Sequence, residues 1–181
     1  MKMGTQIILT AAVAALVIGL AAGDVGKTAE NTGGDDVKTA TENKKKVDFD
    51  TVTLSIGGSI ASTWEYELKA VDGGAEISYY DGMWKFRDDI VREDCLEQRA
   101  AGGKELYDKL AVLLAECDIP AWDGFSESDP MVLDGYTFNF SADLASSSIH
   151  ASGCNAYPDN YRKFRDTVQE LLEEYQTFPE K

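Results

Sequence analysis

One histidine and three cysteines are all the strong metal-binding and nucleophilic side chains this 181-residue chain offers, and its 17 basic residues face 32 acidic ones. Each shortage excludes something. A lone histidine without paired-cysteine spacing leaves no ligand set for a zinc site. Three cysteines allow at most one internal disulfide and leave one thiol over. The longest uncharged apolar run, Ile7 to Ala22, is about 16 residues, short of the ~20 that a helix needs to cross a bilayer core. No internal repeat occurs. The formal net charge is −15, and from Val47 onward 27 acidic residues stand against 11 basic ones. Such a field repels phosphate backbones and anionic lipid, so nucleic acid is excluded as an expected partner. No cofactor is expected.

The first 23 residues carry an address. Lys2 supplies a positive n-region, the apolar run follows, and Ala21-Ala22-Gly23 places small residues where a signal peptidase reads. This is the anatomy of a secretory signal. Cleavage between Gly23 and Asp24 is the first expectation, and an uncleaved N-terminal anchor is the alternative. Membrane contact is expected only through that uncleaved segment. Leu20-Ala21-Ala22 also resembles the lead-in to a bacterial lipoprotein cleavage site, in which the next residue is a cysteine that carries the lipid. Gly23 stands there instead, so no thioether lipid forms.

Residues 24–46 are rich in Gly, Thr, Asp, Lys and Asn, with Val25 and Val37 their only large apolar residues. So little apolar surface cannot offset the entropy of ordering, and a flexible linker is expected. Lys44-Lys45-Lys46 reads as a solvated boundary. Residues 47–181 have the size of one domain, enough to bury roughly two-thirds of the unfolded surface without a metal or a disulfide framework.

Period-two patterns fill the first half of that domain. Val52, Leu54 and Ile56 alternate with Thr51, Thr53 and Ser55, and Gly57-Gly58 ends the run. Trp64, Tyr66 and Leu68 alternate with Glu65, Glu67 and Lys69, a strand with one wet face. Asp72-Gly73-Gly74 predicts a hairpin turn into a third strand over 75–80. Trp84, Phe86 and Ile90 suggest a fourth, with a helix over 86–98 as the alternative. Leu106, Leu110, Leu113, Leu114 and Cys117 predict a helix from Lys104 to Glu116, which Pro120 cannot continue. Cys117 is then an inert buried thiol, and Cys95 with Cys154 is the one conceivable disulfide.

Asp134-Gly135 opens a strand pair containing Tyr136, Phe138, Phe140, Ile149 and Ala151. Tyr161, Phe164, Val168, Leu171, Tyr175 and Phe178 step by three and four, which predicts a last helix with Asp159 as N-cap and Pro179 as its stop. The expected fold is α+β: an antiparallel sheet of about six strands with two helices on one face, in the order β-β-β-β-α-β-β-α.

Three stretches, Ile119-Pro-Ala-Trp-Asp-Gly-Phe125, Leu133-Asp-Gly-Tyr-Thr-Phe138 and Ala151-Ser-Gly-Cys-Asn-Ala-Tyr-Pro-Asp-Asn-Tyr161, carry a resemblance. From about Thr51 to the C-terminus the chain resembles a family of uncharacterised exported, lipoprotein-like bacterial proteins. The resemblance implies no activity, substrate or catalytic residue. It implies that serine often stands at the position of Cys154, which argues against a nucleophilic thiol there.

His150, Cys154 and Asn155 are the residue types of a cysteine protease. On one extended strand, however, His150 and Cys154 stand about 13 Å apart, and a catalytic pair needs hydrogen-bond reach. Asp123, Asp129 and Asp134 lack the alternation of a calcium loop, and no metal site is expected. The candidate binding residues are Trp122, Asp123 and Phe125 in one loop and Asn155 and Tyr157 in another, since aromatics beside Gly and Asn can form a rim for a sugar or peptide. The alternative for both loops is core plugging and turn chemistry. The expected function is a non-enzymatic binding or interaction module outside the cytoplasm, secreted or membrane-tethered, contacting a protein, peptide or glycan of the bacterial cell envelope. The alternative is a carboxylate-dependent hydrolase acting on an envelope glycan or peptide.

Export has a direct check. Intact mass and fractionation in the native host are expected to show either a chain beginning at Asp24 or one retained at the membrane. A full-length chain in the cytosol would overturn the compartment.

Overall fold

The computed structural model describes residues 44–58, 63–131 and 135–177. The export segment 1–23, linker residues 24–43, Asp134, Phe178 and Pro179 lie outside them. The described residues belong to one compact unit, Thr41–Lys181. The fold is α+β. A seven-stranded sheet contains β1 (Phe49–Gly57), β2 (Thr63–Val71), β3 (Gly74–Asp81), β4 (Leu96–Gly103), β5 (Ser126–Ser128), β6 (Thr137–Leu144) and β7 (Ser147–Cys154). Two helices join it, α1 (Lys104–Glu116) and α2 (Tyr161–Glu174).

The spatial order is β4-β3-β2-β1-β6-β7-β5. All neighbours are antiparallel except β5, which runs parallel to β7. The sheet is therefore mixed and has seven strands, where six antiparallel ones are expected from sequence. β5 escapes sequence reading because it is three exposed polar residues with no apolar alternation. The fourth strand is also displaced. Trp84 and Phe86 lie in a 3-10 turn, Gly82–Phe86, and a second turn follows at Arg92–Cys95. Neither a strand at 84–90 nor a helix over 86–98 forms. β4 begins only at Leu96 and has Ala100 as its one buried residue. The ladder offered by β3 makes it a strand rather than any pattern of its own.

The alternation in β1 and β2 does what it predicts. Val52 faces Leu68, Leu54 faces Tyr66 and Phe140, and Leu68 faces Ile77, so their side chains share one face. Hereafter that is the inner face. Gly73 holds the β2–β3 turn at φ 79°, a conformation that favours glycine. A Cβ on the next residue, Gly74, would run into the Gly102 carbonyl of β4.

Leu106, Leu110, Leu113 and Leu114 of α1 and Tyr161, Phe164, Val168, Leu171 and Leu172 of α2 join the inner face in a single core. Tyr66 adds a polar tie by donating its hydroxyl hydrogen to Gln169 Oε1 at 2.7 Å. Burial, the largest influence on that phenol, pushes its pKa up to about 12. The N-cap of α2 is Asn160, at φ 63°, rather than the expected Asp159. The Asp159 carbonyl instead accepts a hydrogen bond from Trp122.

The β4 edge of the sheet has a neighbour. Beyond β4, Gln176 bridges Ala100 and the Thr177 N–H donates to the Arg99 carbonyl at 2.9 Å. The other edge is β5 itself, only three residues long. A covered edge and a very short one both resist pairing with other chains.

Leu171 is buried and Glu173 is exposed on the same helix. Leu171→Ala is expected to cost about 2–5 kcal/mol, and Glu173→Ala little. Thermal and urea melts of the two variants check the packing of α2, and equal negligible losses would contradict it.

Candidate functional site

The outer face of the sheet is built by the odd-numbered residues of β1 and their cross-strand partners. One row runs Tyr80–Glu65–Ser55–Asn139–Ser152, and the next runs Ser78–Glu67–Thr53–Ser141–His150. Nearly every member is polar. Neither α1 nor α2 covers these rows, and the two halves of the sheet treat them differently.

Over β2 and β3, the segment 82–95 lies across the rows. Glu65 is only 5% exposed, although its place in the alternation of β2 predicts a wet side chain. Its carboxylate accepts hydrogen bonds from Ser55 Oγ at 2.7 Å, from Arg92 at 2.8 Å and from Lys85 Nζ. Lys85 also reaches Ser55 Oγ, and Arg92 bridges to Glu67 at 3.2 Å. The Arg92 guanidinium sits 3.9 Å from the centre of the Tyr80 ring, a cation–π contact. Burial alone would raise the Glu65 pKa. The hydrogen bonds from Lys85, Ser55 and Arg92 outweigh it and hold the carboxyl below its ordinary value. This ionic latch fastens the 82–95 segment to the sheet. Glu65, Lys85 and Arg92 are absent from the sequence-derived candidates, because nothing local marks one of three alternating charges as buried.

Over β1, β6 and β7 no described segment roofs the outer face. A concavity of about 420 Å³ has Thr53, Ser55, Asn139, Ser141, His150 and Ser152 among its lining. A second, of about 430 Å³, shares Ser55 and Asn139 and continues to Lys85 and Phe86. The two form one groove that ends against the latch. The side chains of Thr53, Asn139, Ser141, His150 and Ser152 have no hydrogen-bond partner among the described residues, whereas Ser55 is committed to Glu65. The groove thus presents hydroxyl, amide and imidazole groups free to donate and accept.

The loops named from sequence meet each other at one end of the sheet. Trp122 is buried, with its ring 4.9 Å from Phe140 and 5.7 Å from Phe164, and its indole N–H donates to the Asp159 carbonyl at 3.1 Å. Phe125 is half-buried against Phe138. Tyr157 stacks on Phe138 and Tyr161, yet remains 36% exposed. Asn155, at φ 54°, accepts the Tyr136 N–H at its Oδ1. Asp123 Oδ1 accepts the His150 N–H at 3.1 Å. Gly124 and Phe125 also line the first concavity, so this loop borders the groove while Trp122 points into the core.

His150 and Cys154 lie on β7, which is in regular register throughout, so they stand about 13 Å apart. The three cysteines are free thiols. Cys95 adjoins β4 and Cys154 lies in β7, five strand spacings or about 24 Å away, so no disulfide joins them. Burial pushes the Cys117 thiol pKa up, which suits an inert core residue. Among the described residues no group of three or more His, Cys, Asp and Glu side chains converges as a metal site. No described helix is long and apolar enough to cross a membrane.

Compared with known proteins, the chain matches no family model, no curated protein and no solved structure.

The latch has a pH signature. A carboxyl whose pKa falls on folding stabilises the fold above its unfolded value, and that stability is lost as pH drops through the folded value. Glu65→Gln is expected to cost about 1–3 kcal/mol near neutral pH. The gap between wild type and variant is expected to close as acid protonates Glu65. Denaturant melts of both proteins from pH 7 to pH 3 measure it, and a pH-independent gap would contradict the ionic latch.

Proposed function

We propose that this protein is a non-enzymatic binding module working outside the cytoplasm, secreted or tethered at the bacterial cell envelope, with the outer sheet face as its binding surface. The observation that carries the reading is the groove over β1, β6 and β7, with its row of unpaired polar side chains. Surface polar groups need no protein partner, but here five of them converge on one concave floor. The secretory signal supplies the compartment, and the resemblance to exported bacterial proteins agrees with it. Asp123 holds the His150 N–H beside the floor, whereas Tyr157 packs on Phe138 and Tyr161 of the core. A carboxylate-dependent hydrolase is less well supported. Glu65, the buried carboxylate behind the groove, is engaged by Ser55, Lys85 and Arg92, and no carboxylate lines the first concavity.

Ser141→Trp fills the floor of the groove without touching the inner core. The full chain is expected to bind isolated envelope material, and the variant is expected to lose most of that binding at an unchanged melting temperature. Turnover of an envelope substrate that a single Asp or Glu substitution abolishes would overturn the binding-module reading.

A further inference from the structure

We infer that the groove takes a neutral, polyhydroxylated chain, a glycan, laid across β1, β6 and β7. The inference rests on the binding-module reading and narrows its ligand class.

Three observations point to this chemistry. The first is charge. The floor between Thr53 and Ser152 carries hydroxyls, an amide and one imidazole, but no carboxylate and no unpaired cation. Lys85, the cation at the far end, is already bound to Glu65 and Ser55. An anionic ligand would meet no free positive charge and would approach a protein of net charge −15. A cationic ligand would find no carboxylate on the floor.

The second is backbone saturation. β1 is paired on both sides, by β2 and β6, and β6 is paired by β1 and β7. No free N–H or C=O row remains under the groove to receive an extended peptide, whose main-chain affinity comes from adding to an open edge. Recognition falls entirely to side chains.

The third is the character of those side chains. Serine and threonine hydroxyls and the asparagine amide each donate and accept, as sugar hydroxyls do. Phe86, half exposed at the far end of the second concavity, offers an apolar surface for the C–H face of a sugar ring. The rows cross three strands at about 4.8 Å spacing, so a short oligosaccharide spans the floor.

The test uses the full chain and calorimetric titration with neutral oligosaccharides covering glucose, galactose, mannose and N-acetylglucosamine units in α and β linkage. Oligogalacturonate and a neutral Gly/Ser/Thr peptide serve as comparison ligands. At least one neutral oligosaccharide is expected to bind, and Asn139→Ala and Ser141→Ala are each expected to weaken it about three- to tenfold with unchanged melting. The Asn139 side chain has no hydrogen-bond partner among the described residues, so a fold defect is not built into the variant. Binding of the acidic oligosaccharide or the peptide alone would overturn the inference. So would silence across the neutral panel. If Ser141→Trp still abolished binding to envelope material in that case, the groove would stand as a binding site and only its ligand class would fall. If both failed, the binding-module reading would fall with it.

Discussion

Burial of one sheet face beneath α1 and α2 is the interaction on which the rest of this structure depends. The inner side chains of β1, β2, β3, β6 and β7 form a continuous apolar surface, and the two amphipathic helices close over it in one core. Each fully buried large side chain is worth roughly 1.5–3 kcal/mol, so this layer sets the register of every strand. A one-residue slip would turn Leu54 and Phe140 outward and Ser55 and Asn139 inward. The aromatic group around Trp122 closes one end of the core. It ties β6 to the start of α2 through ring contacts and through the hydrogen bond to Asp159.

The outer face is the consequence of that constraint. With both helices on the inner side, the polar alternates of β1, β2, β6 and β7 are left together on the other surface. One half is roofed by the 82–95 segment, and roofing it puts a carboxylate out of water. Burying Glu65 without partners would be costly. Lys85, Arg92 and Ser55 meet that cost, and Tyr80 supplies the ring beneath Arg92. The other half has no roof among the described residues, and the step between the two halves makes the groove. The latch and the groove share Ser55 as their common wall, so the shape of one depends on the integrity of the other.

Much of this fold is legible in the residues. The helix over Lys104–Glu116 follows from its leucine spacing, and the α2 stripe from Tyr161 to Leu171 is buried as its period requires. β1, β2 and the Gly73 turn follow from alternation and glycine. β4 and β5 do not, because each owes its strand geometry to the neighbour it pairs with. The site was legible only in part. The Trp122–Phe125 loop does border the groove, yet Trp122 itself is spent on the core, and Asn155 is spent on the Tyr136 N–H.

By itself, the sequence determined the acidic character, the period of β1, β2, α1 and α2 and the apolar faces those elements must bury, because composition and periodicity are local properties of the chain. Only the tertiary structure decided that Glu65 is buried while Glu67 and Lys69 are not, since that depends on a segment 17 to 30 residues further along folding back across the sheet. It also decided that Thr53, Asn139, Ser141, His150 and Ser152 share one floor. These residues come from three strands separated by up to about a hundred positions in the chain, and strand register alone brings them side by side.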